Sequence, residues 1–453
     1  MVLENLWIGT IIILKMIDKF VNFCKHSYHR PTAKLEHVFV LIFKIFLNKK
    51  TFLFSEKLWL LKFPPLSTVY FNFLGRFFYS LINLTSVIIF SKFADKSLSI
   101  EKNDVTENNT SRNKIGNNFS PWPEQALHVF ENTKEVDDEF LNKMFKAYAK
   151  SNEDLKKTNF KDSPWWEELR SEFNKIFIED KKVNKKNIIN FRNDIDSKAA
   201  ILKDQNIAIS NKNSKIKNMV NATLLACLYH KYSEVVDLSI LRSVSDSIAG
   251  NNRCINYRGQ RLNHRILRYT YYLSQLKKNL DFRRDQKFTI CDIGGGYGGL
   301  LRLLKHYYKN SCCILVELPE TCLLASYFIK KNFPDKKILL YSDIIENELN
   351  FLDYDFVIIP QHQIEKLPNN SIDLMINTSS LSEMDNTTQD YYISQIEKLT
   401  KNYFYSVNRH KYKMHKYNAQ GFYNLKFKKH WFSLIYKFNH TYQLEFLGKK
   451  EDN

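Results

Sequence analysis

Residues 286–453 of this 453-residue chain predict an α/β fold: an open, mostly parallel sheet that ends in an antiparallel hairpin, with a mainly α-helical region ahead of it. Three observations predict it. Short apolar runs alternate with helical stretches, the pattern of successive βα units. The first run, Phe288-Thr289-Ile290-Cys291, ends in Asp292 and a cluster of glycines. The last two runs, 432–438 and 442–447, are parted only by Asn439-His440-Thr441, a link short enough for an antiparallel turn.

The glycine cluster comes first in the argument. Gly294, Gly295, Gly296, Gly298 and Gly299 let the chain turn sharply from the strand into a helix near Leu300, with no Cβ to keep a ligand away. The helix start then offers unpaired N–H groups. Gly294, Gly296 and Gly299 also fit the dinucleotide spacing G-x-G-x-x-G. Asp292 separates the two readings. A carboxylate there repels a pyrophosphate but attracts the ammonium and sulfonium of S-adenosyl-L-methionine. The expectation is a class I methyltransferase sheet, Rossmann-like.

The second strand, 311–316, ends in Glu317, placed to accept both hydroxyls of a ribose. Leu318 and Pro319 follow, and a helix should run to about Asn332. Residues 338–341 and 356–359 both qualify as the third strand. The adenine contact is accordingly either Asp343 or the pair Gln361-His362. Residues 372–377 form the fourth strand, a helix spans about Asp390 to Lys401, and 403–407 form the fifth. The expected cofactor contacts are Asp292, Gly294, Gly295, Gly296, Gly298, Glu317, Leu318, Asp343 and Asn377.

Five stretches together carry a family resemblance. They are Leu267-Arg268-Tyr269-Thr270-Tyr271-Tyr272, the glycine motif from Cys291 to Gly299, Glu317-Leu318-Pro319-Glu320, Ile376-Asn377-Thr378-Ser379-Ser380-Leu381-Ser382-Glu383-Met384, and Tyr403-Phe404-Tyr405-Ser406-Val407-Asn408-Arg409. On them the region from about Tyr269 to Arg409 resembles a sugar O-methyltransferase family of bacterial glycan and glycosylated natural-product clusters. Glu317 stands where that family usually has Asp, which keeps the carboxylate. The resemblance implies a sugar hydroxyl as methyl acceptor, and the glycan is expected to be nucleotide-linked, lipid-linked or polymeric.

Methyl transfer needs an in-line arrangement of oxygen, methyl and sulfur, and a base for the hydroxyl proton. Residues after the fourth strand lie at the carboxyl edge of the sheet, where open α/β sheets bind ligands. Glu383 is the first choice for that base, with Ser379 and Ser380 as polar contacts to the acceptor. A structural alternative is a capping box between Ser380 and Glu383, which have the S-x-x-E spacing. His362, His410 and His415 are rival bases. Asn408 and Arg409 end the fifth strand beside the same cleft and are further expected acceptor contacts; Arg409 either clamps an anionic sugar or pairs within a loop. No metal-ligand spacing is present. The seven cysteines contain no C-x-x-C, consistent with a reduced cytoplasmic setting.

The net charge of +19 is uneven: +6 in residues 1–150, +10 in 151–285 and +3 in 286–453. A basic surplus attracts anions of several kinds. Charge favours a nucleic-acid substrate, but the lack of an Asn-Pro-Pro-Tyr or Asp-Pro-Pro-Tyr string and of an RNA-binding module argues against one.

The remaining boundaries follow from composition. Residues 1–98 are apolar, aromatic and basic but hold no uninterrupted spanning segment. They suit either attachment to the inner membrane face or a self-packed helical bundle. Residues 99–120 read as a linker. Residues 121–285 read as a helical lid and acceptor domain, opening at Pro121-Trp122-Pro123, with a core helix over 220–232. Residues 258–278 read as an amphipathic helix with outward arginines. Asn256, Arg258, Gln260 and His264 are further acceptor contacts on this reading. Besides the enzyme, a methyltransferase of another substrate class and a non-catalytic scaffold with the same fold remain open.

Overall fold

The computed structural model describes residues 99–100, 135–158, 164–179, 182–193, 209–210, 213–344, 351–409, 413–414, 419–420, 427, 431–439 and 443–451. The apolar N-terminal stretches, most of the linker, Pro121-Trp122-Pro123, His410 and His415 lie outside these residues. The chain divides into two compact units, one of residues 1–101, 207–235 and 255–259, the other of the remainder. The expected 121–285 domain is therefore shared between the two. Among the described residues no helix is long and apolar enough to cross a membrane.

Among the described residues, the helices before the sheet are, in chain order, α1 (Asp138–Lys157), α2 (Pro164–Phe177), α3 (Lys185–Ile189), α4 (Lys215–Ser233), α5 (Leu238–Ser243) and α6 (His264–Asn279). α1 shows why such segments are helical. Asp137 caps it by accepting from the Phe140 N–H, acids fill the first turn, lysines the last, and Phe140, Leu141, Met144 and Leu155 share the buried face.

The expected helix over 258–278 needs correcting. It starts only at His264, where the Asn263 side chain caps the Ile266 N–H, because Arg258 and Gly259 both take positive φ in a turn. Nor do all its arginines face outward: Arg261 is buried and donates to the Asp246 and Asn252 carbonyls.

The main sheet follows: β1 (Thr289–Ile293), α7 (Gly299–Tyr307), β2 (Cys312–Glu317), α8 (Pro319–Asn332), β3 (Ile338–Leu340), β4 (Phe356–Pro360), β5 (Ile372–Thr378), α9 (Asn386–Leu399), β6 (Thr400–Arg409), β7 (Trp431–Phe438) and β8 (Gln443–Lys450). The strand order is β7-β8-β6-β5-β1-β2-β4-β3. All neighbours from β6 to β3 are parallel, while β8 is antiparallel to both β6 and β7. This is the expected α/β architecture, an open, mostly parallel sheet with a C-terminal antiparallel hairpin.

It also decides which candidate is the third strand: β4 lies beside β2, and β3 takes the outer edge. β1, β4 and nearly all of β2 are buried, so their runs are continuously apolar rather than alternating.

The second unit is tied together by a buried charge cluster in front of the glycine turn. Asp246 pairs with Arg192 at 2.5 Å and accepts from Asn252, while Arg302 of α7 donates to the Ser245 carbonyl. Three arginines, Arg192, Arg261 and Arg302, hold the Asp246 carboxyl below its usual range against the opposing effect of burial. Phe191 and Arg192 then rest on the ring of Tyr297, inside the glycine turn, at 5.6 and 4.8 Å. The cluster thus steadies the loop on which the candidate site depends.

Candidate functional site

The site is built where parallel strands end. Asp292 sits one residue from the end of β1 and is fully buried, and neither carboxyl oxygen has a hydrogen-bond partner among the described residues. Burial, and next the nearby Glu317, push its carboxyl well above the usual range. A buried carboxyl with nothing to bond is costly, and such groups mark places where something else belongs.

The turn that follows can be made only by glycines. Gly294 has φ +69°, and a Cβ there would run into the Ser380 hydroxyl. A Cβ on Gly295 would run into the Asp292 carboxylate and come within 2.8 Å of Leu315. The backbone is thereby drawn tight over Asp292. Gly296 and Gly298 also have positive φ, and α7 begins at Gly299 with no side-chain cap.

Glu317 ends β2, in register just beyond Asp292. Its Oε1 accepts from the Gly296 N–H at 2.8 Å and its Oε2 from the Leu318 N–H at 2.7 Å. Burial still wins over those two bonds and pushes the carboxyl up to about 7. Leu318 is buried at the start of α8, with Pro319 in the first turn.

Gln361 and His362 follow β4, the strand beside β2. Asp343 follows the outer strand β3 instead, and its Oδ2 is 2.9 Å from Lys143 of α1. Of the two sequence alternatives for the adenine edge, the pair Gln361-His362 thus follows the strand beside β2 and Asp343 does not. Gln361 accepts weakly from the Tyr392 hydroxyl at 3.4 Å. His362 has no hydrogen-bond partner on either ring nitrogen among the described residues, and burial pulls it down to about 4. The imidazole is neutral at pH 7.

Beyond β5 a polar network locks the neighbouring loop. Asn377 is fully buried and donates to the Ile293 carbonyl at 2.8 Å and to Ser380 Oγ at 2.7 Å. Its Oδ1 accepts from Asn408 at 2.9 Å and from the Leu381 N–H at 3.2 Å. Asn408, also fully buried, accepts from the Ser382 N–H and donates to Ser406 Oγ. The structure therefore gives Ser380 and Asn408, expected to contact an acceptor, the work of joining the β5 and β6 ends to the glycine turn.

Ser379 differs. Its φ of +65° is uncommon for serine, and its Oγ accepts from Gln443 of β8 at 3.3 Å. Gln443 in turn accepts from the Tyr272 hydroxyl of α6 at 3.4 Å.

Glu383 ends the short 3-10 turn Leu381–Glu383. The alternative capping box is not formed, because no side-chain cap joins it to Ser380. Its carboxyl is raised by burial, with Arg409 and Arg268 opposing, and Arg409 Nη1 is 3.5 Å from Oε1. Arg409 ends β6 and is half-exposed.

The remaining sequence candidates lie ahead of the main sheet in the chain. His264 begins α6. Arg258 belongs to the first unit, exposed, its guanidinium over the rings of Tyr229 and Tyr257. Gln260 is buried and donates to the Leu241 and Val244 carbonyls.

Two contributors escaped the sequence reading. Arg268 appeared there only inside a motif, and nothing local to Gln443 signals that its strand returns to Ser379. Among the described residues no three His, Cys, Asp or Glu side chains gather as metal ligands.

The residues at β1 and β2 fit S-adenosyl-L-methionine. An unpaired buried acid suits a cationic group, a tight glycine turn admits close approach, and a second acid suits ribose hydroxyls.

No protein-family model and no curated protein sequence matches the chain. Similar solved structures include the pyocyanin biosynthetic protein PhzM, with 11% identity over 41% of this chain and a TM-score of 0.29. The mitomycin 7-O-methyltransferase MmcR has 18% identity over 32% of this chain, with a TM-score of 0.22. Phosphoethanolamine N-methyltransferase 2 of Haemonchus contortus, in complex with S-adenosyl-L-methionine, has 16% identity over 32% of this chain, with a TM-score of 0.23. The chain spans 57%, 40% and 30% of these three proteins.

Proposed function

We propose that the protein is an S-adenosyl-L-methionine-dependent O-methyltransferase whose acceptor is a sugar hydroxyl, in glycan biosynthesis. The observation that carries the cofactor is Asp292, a fully buried carboxyl under a glycine turn with no hydrogen-bond partner among the described residues. It supports a ligand with a cationic amino-acid end and speaks against a dinucleotide. Glu317 would take the ribose and His362 the adenine edge.

When bound, the cofactor supplies an electrophilic methyl group. The chain's own task is then to hold the acceptor and remove its proton. Glu383 is the base in this reading: it is half-buried beside the same strand ends, and Arg409 opposes the upward push of burial on its carboxyl. Ser379 would hold the acceptor, its hydroxyl oriented by Gln443. Sugar as the acceptor class rests on the resemblance carried by Asn377 to Met384, and the residues 1–98 would bring the enzyme to lipid-linked acceptors at the inner membrane face.

A methyltransferase-fold scaffold is the second reading. Asp292 weighs against it, since an unpaired buried acid destabilises a fold that has no ligand for it.

Calorimetric titration of the full-length protein with S-adenosylhomocysteine, with NAD as control, tests the proposal. Binding of the first and not the second supports it. A folded protein that binds neither moves the reading to the scaffold.

A further inference from the structure

Beyond this reading of the site, we propose that β7 is a dimerisation strand, pairing antiparallel with β7 of a second copy of the chain. β7 is the terminal strand of the sheet and, among the described residues, pairs on one side only. Phe432, Leu434, Tyr436 and Phe438 on it are 59%, 37%, 65% and 53% exposed. These make up half of the large exposed apolar side chains among the described residues. A long apolar strand at the edge of a sheet is a template for another strand. A bilayer would accept the rings but could not bond the backbone groups.

The identity of the partner follows from the pattern of the strand. A bulge between Ser433 and Ile435 breaks the alternation. Opposite β8, Trp431, Ser433, Tyr436 and Phe438 then share one face with Lys450, Gly448, Phe446 and Leu444. Phe432, Ile435 and Lys437 share the other with Lys449, Leu447 and Glu445.

Place a twofold axis between Leu434 and Ile435. Trp431 then meets Phe438 of the second copy, Ser433 meets Tyr436, and Phe432 meets Lys437, each pair on a common face. Without the bulge, side chains in this register would fall on opposite faces. The strand's only charge, Lys437, meets an aromatic ring rather than its own copy, so no like charges are juxtaposed. A bulge and a lysine usually blunt an edge. Here they make it self-complementary, as an isologous contact requires.

Sedimentation velocity of the full chain over a broad concentration range tests this, with circular dichroism as the folding control. The wild type should approach twice the chain mass of 53.9 kDa. Phe432→Lys sets two lysines face to face and should sediment as a single chain. Phe432→Glu sets an acid opposite Lys437 and should keep the dimer. Tyr436→Ser, expected to weaken association, stands in if Phe432→Lys does not fold. A monomeric wild type, association unchanged in the lysine variant, or equal loss in both Phe432 variants would overturn the proposal. So would a wild type that stays monomeric but floats with anionic phosphatidylglycerol vesicles through this strand.

Discussion

Glu383 Oε1 and Arg409 Nη1 lie 3.5 Å apart across the carboxyl ends of β5 and β6. The contact is long for a hydrogen-bonded ion pair, so it biases the acid without consuming it. Glu383→Gln should therefore leave the fold and S-adenosylhomocysteine affinity unchanged while turnover falls by about 10²–10⁴-fold, the usual contribution of a general base. With no capping bond to lose, its melting temperature should match the wild type. A variant that melts early would return Glu383 to a structural role.

Asp292→Asn should act in opposite directions on binding and stability. The free protein loses a buried ionisable group with no partner, so its midpoint should rise, by about 2–4 °C for each kcal/mol recovered. Affinity for S-adenosylhomocysteine should collapse in the same variant. Calorimetry and a thermal scan on one preparation read both, and unchanged affinity would count against the whole cofactor assignment.

The pH dependence has a definite sign. Glu317 is raised to about 7 and Asp292 well above its usual range, both chiefly by burial. An acid whose folded value exceeds its unfolded value binds protons better when folded. Its stability contribution is full below the unfolded value and is lost as pH rises through the folded one. The free protein should thus melt at progressively lower temperature between about pH 5 and pH 8 from these two groups. Affinity for the cationic ligand should move the other way over that window, by up to about tenfold per pH unit. In Glu317→Gln the part of that slope owed to Glu317 should vanish.

Asn377→Ala should be among the more destabilising single changes in the C-terminal unit. It strips partners from Asn408, Ser380 and the Ser380-side loop at once, all without access to water. An unsatisfied buried group costs about 1–3 kcal/mol, measurable by urea unfolding. Gly294→Ala should weaken cofactor binding through the same contact, because the new Cβ meets the Ser380 hydroxyl. If urea midpoints for Asn377→Ala stay at the wild-type value, the network is not what holds the loop.

Much of this site could be read in order along the chain. Asp292, the glycines and Glu317 are legible because the chemistry lies at the ends of two consecutive strands, each announced by its apolar run. Helix starts at α8 and the strands β1, β2, β5 and β6 fall within a few residues of expectation for the same reason. The helix expected from Arg258 failed because alternating arginines and aliphatics satisfy helical periodicity whether or not a turn interrupts them. Gly259 and the capping Asn263 decided the matter.

Roles that depend on distant partners were not legible. Ser380 and Asn408 have the composition of acceptor contacts, yet Asn377 and the Ile293 carbonyl occupy them. Gln443 reaches Ser379 from 64 positions away.

By itself the sequence determined which strands exist, where a carboxylate meets a glycine turn, and that a second acid follows one βα unit later. These are local facts, written in hydrophobic runs and in backbone conformations open mainly to glycine. Only the tertiary structure decided that β4 rather than β3 lies beside β2, that Asp343 pairs with Lys143, and that Asp292 is left without a partner. Strand order and burial depend on contacts between segments far apart in the chain, and the composition of either segment alone carries no record of them.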